Sequence, residues 1–111
     1  MRLSDLTNET KKLAVIYKTT ASEFTVIVEY RTSAVTLAFL SELQEQTGFQ
    51  RVVYQVLKIV SSWDLTDDAG KVIPVTKEAI ENNNMPYYLL SSILDAVSKD
   101  RFALSDESKN A

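Results

Sequence analysis

The chain has 111 residues, 45% of them hydrophobic and 24% charged, a balance that fits one compact domain and excludes wholesale disorder. A formal net charge of -3 with no long run of one sign offers no footprint for a phosphate backbone, so nucleic acid is not an expected partner. Cysteine and histidine are both absent, which removes disulfides, thiolate chemistry, Ser-His catalysis and the usual zinc sites together.

The opening MRLSDLTNET lacks the apolar core of a signal peptide, and no apolar run approaches the roughly 20 residues of a membrane helix. A soluble, intracellular protein without membrane contact is expected. Residues 1–12 are expected to be a flexible lead and the polar residues 105–111 a flexible tail, leaving residues 13–104 as a single domain.

Leu13 to Tyr17 (LAVIY) and Phe24 to Tyr30 (FTVIVEY) are rich in β-branched and aromatic residues and flank the turn-prone KTTAS. Period-2 spacing puts Phe24, Val26, Val28 and Tyr30 on one face and Thr25, Ile27 and Glu29 on the other. This predicts a β-hairpin with the first face laid on a helix layer, since a two-stranded ribbon is marginal alone. Its outer edges are candidates for pairing with another chain.

Thr32 or Ser33 can cap a helix running to Gln46, with Val35, Phe39 and Leu43 at i, i+4, i+8 beside Leu40, and Gly48 as a left-handed stop. A second helix follows, its stripe of Phe49, Val52, Val53, Val56, Leu57 and Val60 falling on one side. The β-branched residues favour strand, but a strand would scatter that stripe over both faces.

An extended segment led by Trp63 and Leu65 then enters a turn built from Asp67, Asp68, Ala69 and Gly70 and leaves through Val72 and Ile73. Pro74 blocks helix until Thr76 caps one, with Val75 and Ile80 spaced as a hydrophobic staple and Asn82, Asn83 and Asn84 ending it. Pro86 opens a last helix whose Leu89, Leu90, Ile93, Leu94 and Val97 form a wide apolar band.

No catalytic apparatus is visible. The spacing of Asp64, Asp67 and Asp68 does not fit a calcium loop and reads as turn chemistry, and Glu42 and Glu45 read as a solvated face. Gly48 and Gly70 are the only glycines, so no phosphate-cradling loop is available, and no cofactor or metal is expected. Trp63 reads as a core anchor, and the Tyr87-Tyr88 pair as one inward and one half-exposed ring with a capacity for contact.

Three stretches carry a family resemblance: VEYRTSAVTLAFLSEL, WDLTDDAGKVIPVT and MPYYLLSSILDAV, spanning roughly residues 24–98 together. In them the chain resembles the small tail assembly chaperones of siphophage-type bacteriophages. The resemblance implies a non-enzymatic protein of the bacterial host cytoplasm that binds and solubilises the long apolar tape-measure protein while tail-tube subunits polymerise, and the chain is similar to the family's short form. It carries no site residue across. The alternative is a small phage adaptor or tail-completion protein that adds its hairpin edge to a partner sheet. The expected fold is α+β, an N-terminal β-hairpin on a mainly helical body of about four helices. Homo-oligomers are expected, and Val26, Ile27, Tyr87, Tyr88, Phe102 and Leu104 are the candidate partner-binding residues.

Overall fold

The computed structural model describes the backbone of residues 1–110 and the side chains of residues 1–104. The elements run α1 (Leu3–Thr7), β1 (Thr10–Lys18), β2 (Glu23–Arg31), α2 (Leu37–Gln44), α3 (Gly48–Ile59), β3 (Val60–Trp63), α4 (Lys77–Asn82) and α5 (Tyr87–Asn110). This is an α+β fold with an N-terminal hairpin, as the alternation in residues 24–30 and the helical stripes predict.

The hairpin closes where the Thr19 N–H donates to the Ser22 carbonyl at 2.8 Å, while the Thr19 hydroxyl accepts the Ser22 N–H. The register sets Val15 opposite Val26 and Leu13 opposite Val28. Strand pairing starts at Thr10, earlier than the apolar run suggests, because β2 continues to Arg31 and gives Thr10 to Lys12 partners. Residues 1–12, expected to be a flexible lead, thus hold α1 and the start of β1. At the other end α5 continues to Asn110, and the side chains of the expected tail, 105–111, lie outside the described residues.

The hairpin is not a free ribbon. Val60–Trp63, expected as a helix end and a loop, forms a third strand antiparallel to β2, giving the order β1-β2-β3. The helical stripe therefore stops at Ile59, and Val60 leaves α3 directly in extended conformation. The Arg31 guanidinium donates to the carbonyls of Lys58 and Val60 at 3.1 Å each, satisfying carbonyls that the end of the helix leaves open.

One core joins the layers. Val15, Val26, Val28 and Tyr30 of the hairpin and Trp63 of β3 pack with Val52, Val53 and Val56 of α3 and Leu89, Leu90, Ile93 and Val97 of α5. Full burial of such a side chain contributes roughly 1.5–3 kcal/mol, so these contacts dominate the stability of the fold. Phe24, expected on the inward face, lies beyond the rim of this core and is exposed.

α2 begins later than expected. Thr36 is its cap, accepting the Phe39 N–H at 3.1 Å, and residues 32–36 form an irregular connector that leaves Val35 outside the helix and exposed. Phe39 and Leu43 are buried, with Phe39 stacked on Tyr54 of α3 at 5.6 Å between ring centres. Gly48, with φ 57, supplies the expected left-handed break between the two helices.

The segment after β3 is a small closed ribbon. The Ile73 N–H donates to Leu65, Thr66 bridges Val72, and the Asp67 carboxylate accepts the N–H groups of Ala69 and Lys71 at 2.9 and 3.0 Å. Gly70 sits at φ 81, a turn position that a side chain would strain. Thr76 caps α4 through the Ala79 N–H, Ile80 enters the core with Val75 packed against it, and Asn84 adopts a left-handed φ of 50 after the helix end. Pro86 immediately precedes α5, its carbonyl receiving the N–H groups of Leu89 and Leu90.

Trp63 is the anchor its position suggests, buried and donating its indole N–H to the Ile73 carbonyl at 2.6 Å. Trp63→Ala empties that volume and leaves the carbonyl without its donor, so a loss of roughly 3–5 kcal/mol is expected. A fall in the urea midpoint at unchanged m-value is the readout, and an unchanged midpoint would contradict the packing described.

Candidate functional site

The six candidate contact residues separate into distinct places. Val26 is 4% exposed and belongs to the core, because the inward face of β2 is covered by α3 and α5; it is not a surface contact. Ile27, on the opposite face, remains partly exposed. Its backbone is already engaged: Asp64 accepts the Ile27 N–H on Oδ1 at 2.9 Å and donates its own N–H to the Ile27 carbonyl at 3.0 Å. From Ile27 onward, the β2 edge that the hairpin reading left open is thus occupied by Asp64 and β3, while β3 does not reach the Glu23 end of the strand.

Tyr87 and Tyr88 are both exposed, Tyr88 at 74%, in place of the one-inward arrangement expected of a proline-led helix start. The inward positions of that turn fall to Leu89 and Leu90. Tyr87 lies between Phe49, at 5.9 Å, and Tyr88, at 5.6 Å, forming a small aromatic patch at the start of α5. Phe102 is fifteen residues further along the same helix, about 22 Å away at the α-helical rise. Leu104 is half-buried beside it. Tyrosines and Phe102 therefore belong to different surfaces.

Phe102 does form part of a site. An open groove of about 480 Å³ lies between the connector after β2 and the C-terminal half of α5. Its apolar walls come from Val35, Ile59, Val97 and Phe102, with Val35 61% and Phe102 66% exposed. The floor is fixed by polar contacts. The buried Thr32 donates its hydroxyl to Glu9 Oε1 at 2.9 Å and its N–H to the Glu9 carbonyl, while Arg101 Nε donates to the Thr32 carbonyl at 2.7 Å. Both arginines of the groove thus have backbone carbonyls as partners, Arg31 at the end of α3 and Arg101 on the connector.

One polar cluster adjoins this region. The Tyr30 hydroxyl donates to Asp100 Oδ2 at 2.6 Å, and Lys11 Nζ contacts the same carboxylate at 2.9 Å. The hydrogen bond from Tyr30, then Lys11, hold the Asp100 carboxyl below its usual range, and burial followed by that bond pushes the Tyr30 phenol up. Elsewhere Tyr54 donates to Glu42, which moves that phenol up to about 12, on a face where Glu42 is exposed as expected.

The groove is hidden in the sequence because Val35 fits the α2 stripe on spacing and Leu40 lies beside that stripe, while Leu37 opens the helix. Both leucines are exposed, Leu37 at 87%. Thr36 as the better cap was the available signal, since it removes Val35 from the helix. Among the described residues no group of three His, Cys, Asp or Glu side chains is placed to hold a metal ion, and no helix is long and apolar enough to cross a membrane. Comparison of the chain with family models, curated proteins and solved structures gives no match.

Asp100 sets a pH dependence. Because its folded pKa is depressed, its contribution is present above the ordinary carboxylate value of about 3.9 and is lost as pH falls through the folded value. The stability gap between wild type and Asp100→Asn is expected to be open near neutrality and to close under acid conditions, measured by urea melts across pH. A gap independent of pH would contradict the ionised pair.

Proposed function

We propose that this chain is a non-enzymatic tail assembly chaperone of a long-tailed bacteriophage, holding apolar helical segments of the tape-measure protein in solution while tail-tube subunits assemble. The sequence resemblance in VEYRTSAVTLAFLSEL, WDLTDDAGKVIPVT and MPYYLLSSILDAV supports the reading. The observation that carries it is the apolar surface left open among the described residues, where Val35 and Phe102 of the groove face solvent and Leu37 and Leu40 are exposed on α2. An open apolar groove suits the apolar stripe of an amphipathic helix, with anchors at i, i+3 or i+4. The aliphatic and aromatic walls are the contact for such a stripe, while Arg101, exposed and bonded to the connector through Nε, keeps its other N–H groups at the rim. A net charge of -3 keeps the chaperone itself in solution.

Co-expression with a tape-measure protein is the test. The client is expected to move from the insoluble to the soluble fraction with this chain present and to remain insoluble with a Leu37→Glu/Phe102→Glu variant of unchanged melting temperature. Both positions are exposed, so the variant removes apolar contact without emptying the core. A client equally insoluble with and without the wild-type chain would reject the chaperone reading in favour of an adaptor.

A further inference from the structure

β1 closes one side of the sheet, and among the described residues no strand lies beside its outer edge. The Thr19–Ser22 bond fixes which backbone groups point outward. Counting in twos from that pair, Lys11, Leu13, Val15 and Tyr17 exchange hydrogen bonds with β2, and Thr10, Lys12, Ala14, Ile16 and Lys18 turn theirs away from it. The same even residues have exposed side chains, including the apolar Ile16. The edge is thus nine residues long and carries a row of backbone donors and acceptors without strand partners.

Its lysines are the obvious objection, since edge lysines usually prevent pairing. Here one lysine is paired with a carboxylate of its own copy and the other two lie opposite one. Lys11 is paired with Asp100 at 2.9 Å, and the register sets Lys12 opposite Glu29 and Lys18 opposite Glu23. The strand is also complementary to itself in one register. Two copies run antiparallel about Ala14 bring Thr10 against Lys18, Lys11 against Tyr17, Lys12 against Ile16 and Leu13 against Val15. All nine residues overlap, no lysine faces a lysine, and the smallest side chain of the strand lies on the twofold axis. Centring on Lys12 sets that lysine against itself, and centring on Val15 sets Lys12 against Lys18. Centring on Leu13 leaves Tyr17 and Lys18 without partners.

We propose that β1 pairs antiparallel with β1 of a second copy of this chain, centred on Ala14, so that two sheets become one. Residues of like parity meet in this register, so the inward faces of both copies lie on the same side, and Leu13 and Tyr17, half-buried at the rim of each core, gain cover. The dimer is isologous and closed, which ends assembly at two copies through this edge. It stands independently of any tape-measure client.

Sedimentation of the full chain from roughly 1 μM to 1 mM tests the association itself. The mass is expected to rise from 12.5 kDa towards the dimer, and Ala14→Lys, which sets two charges on the axis, is expected to raise the dissociation constant at least tenfold at unchanged helix content. Register is read by disulfide formation, because the chain has no cysteine of its own. In a hydrogen-bonded pair the Cα atoms are about 5.5 Å apart, within disulfide reach. Ala14→Cys is expected to link into a dimer under mild oxidation much faster than Lys18→Cys, whose opposite residue is Thr10. A wild type that is monomeric at every concentration overturns the proposal, and equal linking rates overturn the register. Both readouts stand even if Ala14→Lys fails to fold.

Discussion

The passage from α3 to β3 without a loop is the constraint on which the architecture depends. Helix ends at Ile59 and strand begins at Val60, so the axis of α3 and the direction of the third strand are set by the same few bonds. Arg31, at the end of the central strand, fastens that passage by taking the carbonyls of Lys58 and Val60. Val60 and Trp63 are both buried, and the indole N–H reaches forward to Ile73, which aligns the ribbon of residues 65–73 with the core. Thr76 and α4 follow from the ribbon, and α5 follows from the left-handed Asn84 and Pro86. A local junction thereby places elements distant from it in sequence.

α5 is held in two different ways along its length. Its first turns are buried through Leu89, Leu90, Ile93 and Val97, contacts that are strong in sum and weakly directional. Beyond Val97 polar contacts dominate: Asp100 meets Tyr30 and Lys11, and Arg101 meets the Thr32 carbonyl. Such bonds contribute less net free energy than burial but fix position closely. Because Arg101 spans to the connector while Phe102 stays exposed, the helix stands beside residues 32–35 without packing flush against them, and the groove is the space left between.

Period-2 spacing in β2 and the 3.6-residue stripes of α3 and α5 made the layers legible, since both periodicities reflect a single buried face. The Trp63 anchor, the Asp67 turn, the Thr76 cap and the Asn-rich stop were legible for local reasons, each residue answering a backbone need within a few positions. β3 was hidden because four residues, VSSW, extend the apolar spacing of the preceding helix, and only tertiary pairing with β2 makes them a strand. Val26 was misplaced for a different reason: β2 was read as an edge strand, whereas the Val26 backbone faces β1, Asp64 takes the neighbouring Ile27, and the Val26 side chain belongs to the core. The groove depends on where α2 starts, a boundary that the spacing of Val35, Phe39 and Leu43 obscured.

The groove and the β1 edge differ in the physics by which they can bind. The groove offers apolar area without backbone partners, so its selectivity is for shape and hydrophobic spacing and its affinity for any one short segment is modest. The β1 edge offers directional hydrogen bonds, and its selectivity comes from the positions of lysine and alanine. No residue of β1 lines the groove, so pairing of two copies does not use groove residues. Under the proposed pairing, two chains would carry two grooves, one on each copy. A client with many apolar helical turns that spanned both would make its second contact at the effective concentration set by the first. Strength in such an arrangement comes from repetition along the client and not from the depth of a pocket, which fits a groove this open and a chain this small.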